Sequence, residues 1–172
     1  MDLGLKGKKV LVTGSTKGLG RAIAETMLAE GASVAICARN AEEVAAAVAE
    51  MSKIGKVVGA SVDAADPEAL RAWVASSAEQ LGGIDVYVHN TSGKPARKLE
   101  AWINNFNIDL MSLVHGVDAA KEALANGGGS VISIGTTATS EHFASGSGSY
   151  SAMKSAVVNW TLGQAQVLGA QG

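Results

Sequence analysis

A glycine-rich run near the amino terminus constrains the fold of this chain more than any other feature. Residues 13–20 read Thr-Gly-Ser-Thr-Lys-Gly-Leu-Gly. They follow the β-branched segment Lys9–Val12, which predicts a strand, and they open the segment Gly18–Ala29, which predicts a helix. A strand–turn–helix unit of this kind aims free backbone N–H groups and the positive end of the helix dipole at one point. The run therefore predicts a binding site for a diphosphate.

The three glycines of this run have separate roles in the prediction. Gly14 permits the tight turn, Gly18 lets the backbone approach a diphosphate because it carries no Cβ, and Gly20 lets the helix lie close to the strand. The alternative is a loop that only turns the chain. The placement between the first strand and the first helix favours the binding interpretation.

The rest of the chain alternates short apolar segments with longer helical ones. The predicted strands are Lys9–Val12, Ser33–Cys37, Val57–Val62, Ile84–His89 and Val131–Ile134. The predicted helices after the first are Ala41–Met51, one that begins near Asp66-Pro67-Glu68, a single long helix from Ala101 to Ala125, and Ser149–Leu168. Strict alternation implies right-handed crossovers and a parallel sheet covered on both faces. We expect one doubly wound α/β domain without internal repeats or linkers.

Composition and charge exclude several classes of protein. A chain of 172 residues with 47% hydrophobic and 17% charged residues is typical of a globular domain rather than a disordered one. The net charge of −2 and the absence of a basic stripe indicate no nucleic-acid partner. Cys37 is the only cysteine, so no internal disulfide or cysteine-built metal site is expected. No stretch is apolar enough for a membrane span or a signal peptide, so a cytoplasmic location is expected.

The end of the second predicted strand indicates which dinucleotide binds. An NAD site places Asp or Glu there, whereas an NADP site needs positive charge for the 2′-phosphate. Residues 38–40 read Ala-Arg-Asn, and no carboxylate comes before Glu42. Arg39 offers a planar fork that suits phosphate, and Lys17 in the glycine turn adds a second positive charge. Most such cations are simply solvated, but the joint position of these two predicts NADP(H).

Tyr150 and Lys154 form a candidate catalytic pair at the start of the last helix. They are four residues apart, so they share one helix face. A free tyrosine has a pKa near 10, and a neighbouring ammonium lowers that value because it favours the phenolate. Tyr150 would then exchange a proton with a substrate while a nicotinamide exchanges a hydride.

Together the glycine turn and the Tyr150–Lys154 pair resemble the short-chain dehydrogenase/reductase family, in particular its NADP-preferring 3-oxoacyl reductases. Val62-Asp63 is similar to the end of the family's third strand, with its adenine-binding aspartate. The run from Gly83 to Asn90 is similar to the approach to the family's Asn-Asn-Ala-Gly motif. The resemblance covers essentially the whole chain. It implies a Rossmann-type fold with strand order 3-2-1-4-5.

The resemblance also assigns roles to individual residues. Tyr150 is the general acid/base, and Lys154 binds the nicotinamide ribose and tunes Tyr150. The family's substrate-orienting serine falls on Thr136 or on Thr137, depending on the alignment, and threonine supplies the same hydroxyl. The residues implied to bind NADP(H) are Gly14, Ser15, Thr16, Lys17, Gly18, Leu19, Gly20, Arg39, Asp63, Asn90 and Lys154. No metal is implied.

Two further positions depart from the family pattern. The helix-borne asparagine of the family's proton relay falls on Asp109. An ionised carboxylate accepts hydrogen bonds and donates none, so the sequence leaves open whether Asp109 supports a relay. His89 replaces the first asparagine of the Asn-Asn-Ala-Gly motif, while Asn90 is retained. His142, between the fifth strand and Tyr150, is a candidate substrate contact.

The resemblance also concerns partners and length. It implies a small carbonyl or alcohol substrate and a homodimer or homotetramer that pairs through the long helix and the Tyr150 helix. Relatives enter a sixth strand where this sequence reaches Gly172. We therefore expect a single domain that is incomplete at its carboxyl end, lacks the family's last strands and has an exposed fifth strand.

These features suggest three candidate functions. The first is an NADP(H)-dependent oxidoreductase acting on carbonyl or alcohol groups. The second is a catalytically silent NADP(H)-binding sensor or structural subunit, motivated by Asp109 and by the threonine at the serine position. The third, an S-adenosylmethionine methyltransferase, would also require an acidic residue after the second strand, which is absent here.

Overall fold

A parallel sheet of five strands lies at the centre of the computed structural model, which describes residues 3–93, 98–141 and 148–171. The strands are β1 (Lys9–Thr13), β2 (Ser33–Ala38), β3 (Val57–Ser61), β4 (Val86–His89) and β5 (Ser130–Ser133). Their order is β3-β2-β1-β4-β5, which confirms the predicted topology. Val12 of β1 pairs with Ile36 on one side and Val88 on the other, so β1 and β4 are neighbours at the point where the strand order reverses. Ligands bind at the carboxyl ends of strands beside such a reversal.

Within the described ranges, six α-helices connect or flank these strands. They are α1 (Gly18–Ala29), α2 (Ala41–Met51), α3 (Pro67–Leu81), α4 (Leu99–Asn105), α5 (Ser112–Ala125) and α6 (Gly148–Leu168). Short 3-10 turns span Thr137–Thr139 and Gly169–Gln171. Asn40 and Asp66 cap α2 and α3, since each side chain accepts hydrogen bonds from the first-turn N–H groups.

The long helix predicted from roughly Ala101 to Ala125 is present as a continuous helical run, but its middle is not α-helical as expected. Helical structure begins at Leu99, and a π-helical segment at Phe106–Met111 separates α4 from α5. A π turn contains more residues than an α turn, and its hydrogen bonds span five residues instead of four. The buried Asp109 lies in this π segment. The wider turn changes the direction in which the side chains that follow it point, compared with a regular α-helix. Such segments often occur at functional sites, and sequence periodicity does not reveal them.

Helices cover both faces of the sheet. On one face α1 and α2 pack against β1, β2 and β4 around Val10, Val34 and Met51. On the other face α3, α5 and α6 pack around Leu70, Tyr87 and other buried side chains. The two apolar clusters pack the strands between two helix layers and so fix the positions of the strand ends at the carboxyl edge of the sheet. Within the described ranges, no helix has the length and apolar content to span a bilayer.

Candidate functional site

A cleft of about 730 Å³ opens at the carboxyl ends of β1 to β4. This volume lies within the range of small-molecule sites. The residues that line it are Gly14, Thr16, Lys17, Cys37, Ala38, Arg39, Asn40, Glu43, Val62, Asp63, Ala64, Asn90, Thr91, Ser92 and Ile108. The structure thus brings the glycine turn, the end of β2 and the predicted adenine-binding aspartate to one place.

The glycine turn has the backbone geometry that its glycines permit. Gly14 has a φ of +62° and Gly18 a φ of +59°, both in the left-handed region that side chains disfavour. A Cβ on Gly18 would meet nothing within 4 Å, so the backbone there is open to an incoming group. A Cβ on Gly20 would lie 2.4 Å from Asn90 Nδ2, so Gly20 makes room for that amide rather than for the strand alone.

Asn90 fastens the glycine turn to β4. Its Nδ2 donates to the carbonyls of Thr13 (3.1 Å) and Gly14 (3.0 Å), and its backbone N–H donates to Thr13 Oγ1 (3.0 Å). These bonds hold the turn against the strand while one side of Asn90 faces the cleft. Asn90, which the sequence predicts to bind the cofactor, therefore also holds the glycine turn in place.

The other turn residues differ in where their side chains lie. Ser15 is buried, with its hydroxyl donating to the Val12 carbonyl (2.6 Å) and accepting from Cys37 N–H (3.2 Å), so it joins β1 to β2 and does not line the cleft. Leu19 is 67% exposed on the outer side of α1. Thr16 and Lys17 line the cleft directly.

The far end of the cleft carries charges of both signs. Arg39 is exposed there, and its backbone carbonyl accepts from Ser61 Oγ (2.9 Å). Asp63 is exposed, with Oδ1 accepting from Ala65 N–H (3.0 Å). Glu43 also lines the cleft and pairs with Lys17, a contact that the sequence analysis missed. Glu43 stands at the third position of α2, about one helical turn beyond the end of β2, and an acidic residue at that spacing is the sequence signal for it.

Lys154 lies beneath the cleft and is almost completely buried, with 2% exposure. Its Nζ donates to the Ile134 carbonyl (3.0 Å) just after β5 and lies 3.6 Å from Asp109 Oδ1. Burial lowers the pKa of Lys154, and the Asp109 carboxylate opposes that shift. The ammonium is thus held at the carboxyl ends of β4 and β5 by a carbonyl and an anion.

Asp109 connects Lys154 to the cleft. The carboxylate is fully buried and accepts from Ser92 Oγ (2.6 Å) and from Gly93 N–H (3.3 Å). Since Ser92 lines the cleft, the contacts run from the cleft through Ser92 and Asp109 to Lys154. The sequence indicated Asp109 as a departure from the family pattern, but its ion pair with Lys154 depends on the π segment and could not be read from spacing.

His89 is a further buried group at this site that the sequence analysis left without a role. Its Nε2 lies 2.7 Å from Ser112 Oγ, and that hydroxyl donates its hydrogen to the Ile108 carbonyl (2.7 Å). Nε2 is therefore the donor in this hydrogen bond. Burial and the nearby Lys154 ammonium lower the pKa of His89 to about 3. Its Nδ1 has no hydrogen-bond partner within the described part of the chain.

The remaining predicted catalytic residues lie around α6 and the segment after β5. Tyr150 is half-buried in the first turn of α6, one turn before Lys154. Thr136 is half-buried and caps the 3-10 turn, where its Oγ1 accepts from Ala138 N–H (3.3 Å). Thr137 is exposed in that turn. His142 lies outside the described residues.

These features fit a dinucleotide. The turn presents open backbone at Gly18, and the cleft has the volume of a small-molecule site with cations at Lys17 and Arg39. Burial raises the pKa of the Cys37 thiol to about 12, which disfavours the reactive thiolate at this cleft residue. No group of three His, Cys, Asp or Glu side chains suited to a metal occurs among residues 3–93, 98–141 and 148–171.

Comparison with known proteins points the same way. The family profile described as short chain dehydrogenase matches residues 8–172. Isoepoxydon dehydrogenase patN of Penicillium expansum is 39% identical over 126 residues, which cover 70% of this chain and 48% of that protein. The chain spans about half the length of the curated relatives it matches first.

Two solved structures share the architecture described above. A short chain dehydrogenase from Burkholderia cenocepacia J2315, solved with NADP, is 32% identical with a TM-score of 0.88, over 98% of this chain and 71% of that one. A 7α-hydroxysteroid dehydrogenase, solved with NADH and 7-oxo glycochenodeoxycholic acid, is 25% identical with a TM-score of 0.93, over 98% and 68% of the two chains. With the sheet order, the glycine turn and the family profile in agreement, the chain belongs to the short-chain dehydrogenase/reductase family.

Proposed function

We propose that this protein is an NADP(H)-dependent oxidoreductase that interconverts a carbonyl and an alcohol, with Tyr150 as general acid/base. When bound, the nicotinamide cofactor supplies or accepts the hydride. The chain's own residues bind the cofactor, orient the substrate and move the proton. The substrate is a small carbonyl or alcohol compound, and a 3-oxoacyl thioester is one candidate within that class.

The glycine turn and the end of β2 carry the binding part of the proposal. The open backbone at Gly18 and the first turn of α1 suit a diphosphate. Arg39 and Lys17 would contact the 2′-phosphate of the adenosine ribose, and Asp63 would contact the adenine. The absence of a carboxylate at the end of β2 supports NADP over NAD.

The position of Lys154 is the single observation that carries the catalytic part. The Lys154 ammonium is 2% exposed and is held by the Ile134 carbonyl and by Asp109. Burying this charge costs desolvation energy, and an apolar side chain would fill the same space without that cost. Lys154 lies one turn after Tyr150 on the same helix face. In this proposal Tyr150 exchanges the substrate proton, and Lys154 supplies the positive charge on the same helix face.

A threonine hydroxyl would orient the substrate oxygen toward Tyr150. We assign this role to Thr136, because it is half-buried and directly continues the extended segment after β5, whereas Thr137 is exposed in the 3-10 turn. The Thr136 Oγ1 accepts from Ala138 N–H, so its own hydrogen is available for the substrate.

The test is NADPH oxidation by the protein in the presence of a panel of ketones, aldehydes and 3-oxoacyl thioesters, with Tyr150→Phe beside the unmodified protein. We expect turnover that Tyr150→Phe reduces by at least about 100-fold, the scale of lost general acid/base catalysis. NADPH binding, followed by fluorescence, should change little because the phenol is not part of the predicted adenosine or diphosphate contacts.

The chain offers a matched control. Its other tyrosine, Tyr87, belongs to β4 and is fully buried, so Tyr87→Phe removes the same hydroxyl and should leave turnover unchanged. Binding of NADPH without turnover on the whole panel would overturn the enzymatic proposal and favour a silent binding protein. Equal activity of Tyr150→Phe and the unmodified protein would overturn the assigned role.

Assembly and location belong to the same proposal. Exposed apolar side chains on α4 and α6, among them Ile103 (60%) and Leu162 (63%), support a homodimer or homotetramer that pairs through these helices. We place the protein in the cytoplasm. A monomer mass by light scattering would contradict the proposed assembly.

A further inference from the structure

Glu43 lies inside the cleft that is proposed to hold the cofactor. It stands in the first turn of α2, where Asn40 Oδ1 accepts from the Glu42 N–H (2.9 Å) and the Glu43 N–H (3.1 Å) and so fixes the start of the helix. Both glutamates are exposed, but only Glu43 lines the cleft. Two adjacent carboxylates on one helix therefore face different surroundings.

The Glu43 carboxylate contacts the glycine turn at two points. Its Oε2 accepts from Thr16 Oγ1 at 3.2 Å and lies 3.5 Å from Lys17 Nζ. Thr16 and Lys17 both line the cleft beside Arg39. One of the two cations predicted for the 2′-phosphate is thus already paired with an anion of the same cleft.

We propose that Glu43 is a specificity determinant that weakens binding of a 2′-phosphorylated cofactor, relative to the non-phosphorylated one, by pairing with Lys17. This inference rests on the proposed function, since it concerns the same adenosine site. A 2′-phosphate must either displace the Glu43 carboxylate from Lys17 and Thr16 or bind beside that like charge. A ribose with a free 2′-hydroxyl meets neither cost.

The expected size follows from exposure. The side chains of Lys17 and Glu43 are 80% and 44% exposed, so water and salt screen the pair. A phosphate carries up to two charges, which raises the effect above that of a simple surface pair. We expect Glu43 to weaken 2′-phosphate binding roughly three- to tenfold at low ionic strength.

The experiment measures calorimetric binding of 2′,5′-ADP and of ADP, which differ in the 2′-phosphate and require no turnover. The variants are Glu43→Gln, Glu42→Gln and Lys17→Met, and each glutamine variant is also combined with Lys17→Met. Glu42→Gln is the matched control because it removes the same charge from the neighbouring position outside the cleft. Each titration is repeated at low salt and at about 0.5 M salt, where the Debye length falls below about 5 Å.

Glu43→Gln should tighten 2′,5′-ADP roughly three- to tenfold and change ADP less than about twofold, with a smaller gain at high salt. Glu42→Gln should change both ligands less than about twofold. In the Lys17→Met background the gain from Glu43→Gln should fall by at least about half, because the pair no longer exists.

Equal gains for both ligands, equal effects of Glu43→Gln and Glu42→Gln, or a gain unaffected by Lys17→Met would overturn the inference. Binding of neither ligand to any variant would instead overturn the proposed cofactor site, and the inference with it. The two failures are therefore distinguishable.

Discussion

At the scale of single residues, Asp109 and Lys154 form a buried ion pair, and burial of its two charges carries a desolvation cost. Both side chains are almost completely buried, at 0% and 2% exposure, and each supplies the opposite charge that compensates the desolvation of the other. Removing one partner leaves an uncompensated charge, which costs about 3–5 kcal/mol in measured cases. We expect Lys154→Met to lower the free energy of unfolding by about that amount, and a second change, Asp109→Asn, to restore roughly half of it.

Urea unfolding of the two single variants and the double variant measures this coupling. The control is Lys121→Met, which breaks the exposed pair with Asp118 on α5 and should cost less than about 1 kcal/mol. If the effects of Lys154→Met and Asp109→Asn simply add, the two groups do not interact as the geometry requires.

At the scale of secondary-structure elements, Gly116 sets the distance between α5 and β4. A Cβ at this position would lie 1.9 Å from Tyr87 Oη, in a contact that cannot relax into solvent because Tyr87 is fully buried. We expect Gly116→Ala to destabilise the protein by about 1–3 kcal/mol despite the better helix propensity of alanine. Thermal or urea unfolding measures the loss.

Two variants separate packing from propensity. Gly163→Ala makes the same change in α6, where a Cβ would meet nothing within 4 Å, and should stabilise by about 0.5–1 kcal/mol. Tyr87→Phe removes a buried hydroxyl that has no hydrogen-bond partner in the described part of the chain, so it should recover part of the Gly116→Ala loss. Destabilisation by Gly163→Ala as large as by Gly116→Ala would rule out the contact as the cause.

At the scale of the whole molecule, we expect His89 to make global stability depend on pH. The pKa of His89 is lowered from 6.5 to about 3 in the folded protein. Between these two values the unfolded chain therefore binds a proton at His89 and the folded protein does not. The stability from this depressed pKa is present above pH 6.5 and is lost as the pH falls toward 3. Between pH 7 and pH 5 the loss should be about 2 kcal/mol.

Chemical unfolding at the two pH values tests this linkage. His89→Asn should remove most of the pH dependence in this window, whatever its effect on stability at pH 7. His115→Gln, at a half-buried histidine on α5, removes the same side chain from a different site and should leave the slope largely in place. An unchanged slope in His89→Asn would show that another group carries the dependence.

Local sequence signals were sufficient for most of the fold. The boundaries of α1 and α2 are as predicted, and Asp66 caps α3 with Pro67 in its first turn, because capping and turn chemistry act between residues that are close in the chain. The strand order followed from alternation and handedness. The π segment at Phe106–Met111 escaped prediction because one extra residue per turn leaves composition and apolar pattern almost unchanged.

The sequence alone determined the fold class, the family and the glycine turn, because each depends on residue types at short, regular spacing. Only the tertiary structure decided which ionisable groups meet: Glu43 with Lys17, Asp109 with Lys154, and His89 beside that lysine. The members of each pair are at least 26 residues apart, and their energies depend on distance and burial, which spacing does not encode.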